Sequence, residues 1–238
     1  MYGIRAIPNY DLSKSDMIIS FGVDFLETWL SPVEHAYSFG DFHSVRNNKI
    51  GKFICFGPAQ SMTAANSDEF ITIEPGTEAL IINGLIKRII QIKKIDPAEI
   101  SIEISGELPA SLNEKLDEIA REIAKAEKPL MLTGRPEDRS KAGKIAVKAA
   151  NLFNELMGSA DLSDFSRSHA LSKTAWHVEV TEFFESVDEN TVLFIHNSNP
   201  LYSERGLEKS FRRAKTVVYA GTMKNETATA ADWILPLN

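Results

Sequence analysis

Short apolar runs alternate along the chain with longer stretches of helical periodicity, the pattern of a βα-alternating, mostly parallel sheet. Met17–Phe21 predicts a first strand that ends at Gly22, and a helical stretch follows over Phe25–Phe39. Strands are expected at Phe53–Phe56 and Phe70–Ile73, after which Pro75-Gly76-Thr77 leads into a helix from Glu78 to Lys93. That helix carries apolar residues on more than one stripe (Ala79, Leu80, Ile81, Ile82, Leu85, Ile86, Ile89, Ile90), as a helix packed on several sides does. Lys94–Pro109 reads as a polar connector. Leu112–Ala126 is an amphipathic helix opened by a capping-box pair, Ser111 and Glu114. Pro129–Thr133 is a buried strand, and helix Arg139–Met157 follows with Asp138 as N-cap and Gly158 as its stop. Its apolar face reads Ala142, Ile145, Ala149, Leu152, Leu156. Ser159–Thr174 reads as a long surface loop. A short helix at Glu179–Ser186, strand Val192–Ile195, helix Gly206–Ala214 and strands Thr216–Ala220 and Trp233–Leu235 complete the order.

Two stretches share one pattern. The first runs from Met17 through strand, polar loop Gly22-Val23-Asp24, helix and strand to Thr63-Ala64 and Asp68. The second runs from Val192 through strand, polar loop Asn197-Ser198-Asn199-Pro200, helix and strand to Thr227-Ala228 and Asp232. In both, Thr-Ala precedes by the same offset an Asp that opens an apolar strand, and both strands run into a proline, Pro75 and Pro236. Two βαβ units share a general pattern for physical reasons, but generic strand packing does not require a matched Thr…Asp spacing. A duplicated βαβ unit with polar residues at its strand ends implies two equivalent binding positions, since open parallel sheets bind ligands at the carboxyl ends of their strands. The second copy reaches Asn238 without a covering helix like the one that follows Pro75, so the expectation is a chain that continues in the intact protein.

Composition narrows the function classes. The 238 residues are 43% hydrophobic and 25% charged, an ordinary globular balance. The net charge of −7 comes with no basic block, which disfavours nucleic acid as a partner. The longest apolar runs are too short to span a bilayer. A single cysteine, Cys55, excludes an internal disulfide, a cysteine-held zinc and an iron–sulfur cluster built from this chain alone. The N-terminus lacks the pattern of a signal peptide, and the compartment stays open.

Four segments, Ser15–Thr28, Thr63–Glu78, His196–Tyr202 and Asn225–Pro236, resemble the molybdopterin oxidoreductases of the dimethyl sulfoxide reductase superfamily. The last (NETATAADWILP) is the most specific, and Pro-Gly-Thr-Glu stands where the family more often has Pro-Gly-Thr-Asp. Phe25–Pro32 (FLETWLSP) is most similar to large subunits of membrane-associated, quinone-linked respiratory complexes. The resemblance implies an α/β fold of two Rossmann-like halves with mostly parallel sheets, related by a pseudo-two-fold axis. The expected division is 1–108 and 109–238, each half holding one pterin guanine dinucleotide with molybdenum or tungsten between them. It further implies iron–sulfur and membrane subunits as partners, together with N- and C-terminal portions of the same subunit. The metal ligand and cluster cysteines of the family lie upstream, so no catalytic or metal-ligating residue is expected here.

A guanine dinucleotide presents a pyrophosphate, a ribose and a base edge with N1–H and N2–H₂ donors. Strand-end amides and loop hydroxyls suit the phosphates, and a carboxylate accepts both base donors. By motif match, Gly22 and Asp24 line the first strand's end, Pro58, Ser61 and Thr63 follow the second strand, and Gly76 and Thr77 lead to Glu78. Either Glu78 or Asp68 reads the base. In the second copy the matching residues are Asn197, Ser198, Asn199, Gly221, Thr222, Glu226, Thr227 and Asp232. Structural roles compete with each assignment. Asp68 and Asp232 also suit a turn before a strand, Thr63 and Thr227 a local backbone bond, Asn197–Asn199 a plain turn and Glu78 a helix N-terminus. Two other readings stand beside the cofactor-binding one: a non-catalytic scaffold subunit of a respiratory complex, and another nucleotide-binding α/β domain such as the central domain of thiamine-diphosphate enzymes. The absence of Gly-x-Gly-x-x-Gly disfavours an ordinary NAD domain.

Overall fold

The structure is a computed structural model that describes residues 6–45, 50–96, 108, 110–134, 140–204 and 206–237. The chain forms two compact units, Met1–Ser172 and Lys173–Asn238. The expected division at 108/109 does not coincide with this boundary.

The first unit is built on a four-stranded parallel sheet. Its strands are β2 (Met17–Phe21), β3 (Lys52–Gly57), β4 (Glu69–Thr72) and β5 (Pro129–Thr133), in the order β4-β3-β2-β5. Met17 lies opposite both Lys52 and Pro129, so β5 belongs to this sheet and draws its flanking helices into the first unit. Strand alternation divides the core. Met17, Ile19, Phe21, Ile54, Phe56 and Met131 face one layer made by α3 (Glu78–Lys93), α4 (Ala110–Lys125) and α5 (Lys141–Leu156). Ile18, Phe53, Cys55, Leu130 and Leu132 face the other way, against Phe25 and α1 (Pro32–Phe42). Helices on both faces make the unit doubly wound. Burial pushes the Cys55 thiol up to about 12, which fits a core residue and not a reactive one.

The helix expected over Phe25–Phe39 begins only at Pro32. Leu30 takes a left-handed φ of 51°, and Pro32 occupies the first helical turn, where its missing N–H costs nothing. Helix α3 keeps its expected limits and its broad burial, from Ala79 to Ile89, between α4 and α5. Ser140 caps α5, its hydroxyl accepting from the Gly143 N–H at 3.0 Å, while Asp138 lies outside the described residues. The Ser111 side chain of the expected capping box also lies outside them. Gly158 stops α5 as expected, at φ 70°, with Ser159 N–H donating to Asn154 at 2.7 Å. The buried stripe of α5 is Ala146, Ala149, Ala150 and Phe153, turned by about one position from the expected face. The turn brings Asn154 inward. Its carboxamide accepts from Met131 N–H at 2.8 Å and donates to Met131 C=O at 3.0 Å, closing the free edge of β5. The expected loop over Ser159–Thr174 contains a 3₁₀ turn (Ala160–Leu162) and β6 (Ser163–Asp164), which pairs antiparallel with β1 (Asn9–Tyr10).

The second unit holds three parallel strands in sequence order, β7 (Val192–His196), β8 (Thr216–Gly221) and β9 (Trp233–Pro236). Leu193, Ile195, Val217 and Tyr219 pack against Phe184 of α6 (His177–Ser186), Leu201 of the short α7 (Pro200–Ser203) and Phe211 of α8 (Glu208–Arg213). The expected helix over Gly206–Ala214 is shorter than its pattern, because Gly206 holds φ at 89°. Val192, Phe194 and Trp233 are exposed. No helix among the described residues is long and apolar enough to cross a membrane.

Candidate functional site

The carboxyl end of each sheet is assembled from the same parts. After β2, Gly22 takes φ 63° and donates its N–H to Phe56 C=O at 2.8 Å; after β7, Asn197 takes φ 46° and donates to Ala220 C=O at 2.7 Å. Glycine and asparagine are the residues that enter this left-handed region at least cost. Four-residue helices follow in both copies, α2 (Met62–Ala65) and α9 (Glu226–Thr229). Ser61 caps the first by accepting from Ala64 N–H at 3.1 Å, and Asn225 caps the second by accepting from Ala228 N–H at 2.9 Å. The Thr63 hydroxyl accepts from Leu26 N–H at 3.1 Å, and the Thr227 hydroxyl accepts from Leu201 N–H at 3.2 Å. Asp68 accepts from Phe53 N–H at 2.7 Å, and Asp232 from Val217 N–H at 2.8 Å.

These bonds decide several of the expected roles. Thr63 and Thr227 are both 0% exposed, so they pin loops and cannot touch a ligand. Asp68 and Asp232 stand at the opposite, amino ends of their sheets, bonded to the second residues of β3 and β8. That placement corrects two expectations at the carboxyl edge: Asp68 as a candidate to read the base, and Asp232 as a cofactor-binding residue of the second copy. Ser61 is spent on its cap. The residues left at the first carboxyl edge are Gly22, Asp24, Pro58, Gly76, Thr77 and Glu78. Gly76 holds φ 89° in a turn closed by Thr77 N–H on Glu74 C=O, and this turn delivers Glu78 to the start of α3. At the second edge Asn197, Ser198 and Thr222 are exposed, while Gly221 is buried.

Asn199 and Glu226 form a clasp of their own. The Asn199 amide donates to Glu226 at 2.7 Å, and its carbonyl oxygen accepts from the Thr227 hydroxyl at 2.7 Å. The Asn199 bond holds the Glu226 carboxyl below its ordinary pKa. Asn199 Oδ1 also accepts from the Thr227 N–H at 3.2 Å, whereas in the first unit the corresponding Thr63 N–H is taken by Glu27 at 2.8 Å. The same donor is therefore satisfied from different loop positions.

In the order β4-β3-β2-β5 the connections leave β2 and β5 in opposite senses, which places a topological switch point between them. A pocket of about 140 Å³ opens there, with Phe21, Glu78, Thr133, Gly134, Lys144 and Val147 among its walls. Of these, only Glu78 was singled out as a site residue from the sequence. Thr133 and Lys144 went unnoticed because β5 carries no site motif and its partner strand lies far away in sequence. One signal was available: α5 has no acidic residue in its first turn, yet Lys144 sits beside that positive helix end. No group of three or more metal-binding side chains occurs among the described residues.

A doubly wound parallel sheet with a switch-point pocket, and a second unit repeating its loop-and-pin scheme, define the doubly wound class of α/β proteins. Within that class, the chain belongs to the molybdopterin oxidoreductase family, whose model matches residues 4–238. It is 23% identical over 258 aligned positions to the menaquinone reductase, molybdopterin-binding-like subunit, of Nitratidesulfovibrio vulgaris. That alignment covers 96% of this chain and 37% of the relative. Acetylene hydratase from Pelobacter acetylenicus shares the fold with a TM-score of 0.59 at 13% identity, over 97% of this chain and 42% of that one. The chain thus spans well under half the length of the proteins it matches.

Proposed function

We propose that this chain is the part of a redox subunit that cradles a molybdopterin cofactor in its guanine dinucleotide form, one dinucleotide to each carboxyl edge. The observation that carries the reading is the duplicated edge. Two left-handed loops, two capped short helices and two buried threonines recur with the same hydrogen bonds, as two chemically alike ligands require. The residues fit such a group. Gly22, half-buried in its left-handed turn, admits close backbone approach, and Ser198 and Thr222 offer exposed hydroxyls for phosphate oxygens. Glu78, fixed by the Pro75-Gly76 turn, stands ready to accept from a base. When bound, the cofactor supplies two-electron redox chemistry at its metal; this chain binds it, orients it and shields its nucleotide arms. Iron–sulfur and membrane subunits of a quinone-linked complex are the partners this reading implies.

A second reading has its own support. The relative is named molybdopterin-binding-like, and the first edge carries Asp24, Glu74 and Glu78 with Lys144 as the cation lining its pocket. Among the described residues of this edge carboxylates outnumber cations, which suits a scaffold that keeps the fold without the cofactor. The intact subunit separates the two. Oxidised extracts should give pterin fluorescence, and mass spectrometry should find molybdenum or tungsten near one atom per subunit; a subunit pure in its complex but free of both is the scaffold.

A further inference from the structure

We propose that a second pocket of the first unit, at the amino end of α1, binds a small monocarboxylate together with one proton carried by His35. The pocket has a volume of about 170 Å³, and Leu30, Ser31, Glu34, His35, Arg167 and His169 are among its walls. It lies where residues beside the β1–β6 ribbon meet the start of α1. The Asn9 amide and the Arg167 guanidinium both donate to Glu34 there, at 2.7 and 3.2 Å. None of these residues has a part in the dinucleotide reading, on which this site does not depend.

His35 carries the argument. It is 1% exposed and lines the pocket, yet its Nδ1 has no hydrogen-bond partner among the described residues. Orphaned buried nitrogens are rare and costly. Burial keeps the ring neutral, and the Trp29 and Phe25 carbonyls draw its single proton. That proton therefore sits on Nε2, and Nδ1 presents a bare lone pair that calls for a donor. The other walls call for the opposite. Leu171 N–H donates to His169 Nδ1 at 3.1 Å, which puts the His169 proton on Nε2, 3.1 Å from Ser31 Oγ. Ser31 thus accepts from His169 and keeps its own O–H for the pocket. Its side chain makes no cap bond to α1, so the first-turn amides of Val33 and Glu34 are open as well. A carboxylic acid answers both sets, its proton going to His35 Nδ1 while its oxygens accept from Ser31 and the helix end.

Arg167 and Glu34 match each other's charge, so only the partial positive charge of the helix end is spare. That suits a monoanion better than phosphate. The volume is several times a water's share of the liquid, about 30 Å³, and leaves room for an acid of a few carbons. Glu34, Arg167 and His169 are the other charged or titratable groups around His35. A carboxylic acid is ionised in neutral solution, so binding takes up one proton from water. Carboxylate, proton and neutral His35 become a carboxylate beside an imidazolium.

The test uses the full-length subunit in calorimetric titrations from pH 6 to 8, with acetate as the probe and inorganic phosphate for comparison. Runs in buffers of unlike ionisation enthalpy count the protons. About one proton should be taken up per acetate, and the affinity should fall about tenfold for each pH unit. Phosphate should bind more weakly than acetate at every pH. His35→Phe should abolish the proton uptake and weaken acetate at pH 6 by about tenfold or more. Ser31→Ala, at a half-buried position, should weaken acetate about fivefold and leave the proton uptake in place. Circular dichroism verifies the fold of each variant, and Ser31→Ala still tests the site if His35→Phe does not fold. Acetate binding without proton uptake, or unchanged by either substitution, overturns the assignment. So does phosphate binding as tightly as acetate, or a pocket that takes no acetate at any pH and holds water alone. None of these outcomes depends on pterin content, so this test and that of the cofactor reading stand apart.

Discussion

In the first unit a buried threonine ties the loop after β2 to the short helix after β3, and in the second unit another threonine does the same for β7 and β8. Aspartates five residues beyond these threonines bind the backbone where β3 and β8 begin. The pins are common; the cover is not. Ile19 of β2 is 0% exposed beneath α3–α5, whereas Phe194, its counterpart in β7, is 62% exposed. The local hydrogen-bond frame of the module therefore forms whether or not its second sheet face is covered. Hydrogen bonds within one βαβ module specify the loops, and apolar burial supplies most of the stability.

The largest effect separates the units by their cover. Ile19→Ala should cost about 2–5 kcal/mol through a core cavity, while Phe194→Ala should change stability by about 0.5 kcal/mol or less. Urea unfolding of both variants checks this, and equal losses would break the contrast. Next come the pins. Thr63→Val and Thr227→Val each leave a half-buried N–H without its acceptor, an expected loss of about 1–2 kcal/mol in either unit. Similar losses confirm a shared frame; a loss in one unit only means the copies have diverged. Smaller still, Asp68→Ala and Asp232→Ala should cost about 1 kcal/mol each and leave cofactor content unchanged, since both stand at the amino ends of the sheets. Loss of pterin with the fold intact would return them to the binding site.

A pH response should belong to the first unit. Burial holds the His35 pKa below its ordinary value, with the ring stacked on Trp29. The folded state thus resists protonation more than the unfolded one does. Stability is full above the usual histidine range and falls as pH drops from that range through the lowered pKa. His35→Phe should remove that part of the acid sensitivity in thermal melts from pH 8 to about pH 5.

Much of this was legible in the order of the residues. Strand positions, the limits of α3 and the Gly158 stop follow from periodicity and capping. The repeat showed itself as a Thr…Asp spacing that proved to be a hydrogen-bond frame. Other features were hidden for physical reasons. Which sheet takes Pro129–Thr133 depends on pairing with a strand over a hundred residues away, so the compact first unit runs on past the expected division at 108. Sequence also cannot tell a carboxylate at the amino end of a sheet from one at its carboxyl end until the crossover is traced, which is how Asp68 and Asp232 came to be read as ligand residues. Lys144 was missed because its meaning lies in Glu78 and Phe21 across the pocket, not in its own neighbours.

The central claim is that a duplicated edge holds a pair of dinucleotides, and the nucleotide released from the intact subunit tests it most directly. Acid hydrolysis followed by chromatography should yield two guanosine monophosphates for each molybdenum or tungsten atom. A metal-loaded subunit that releases one nucleotide or none would contradict it.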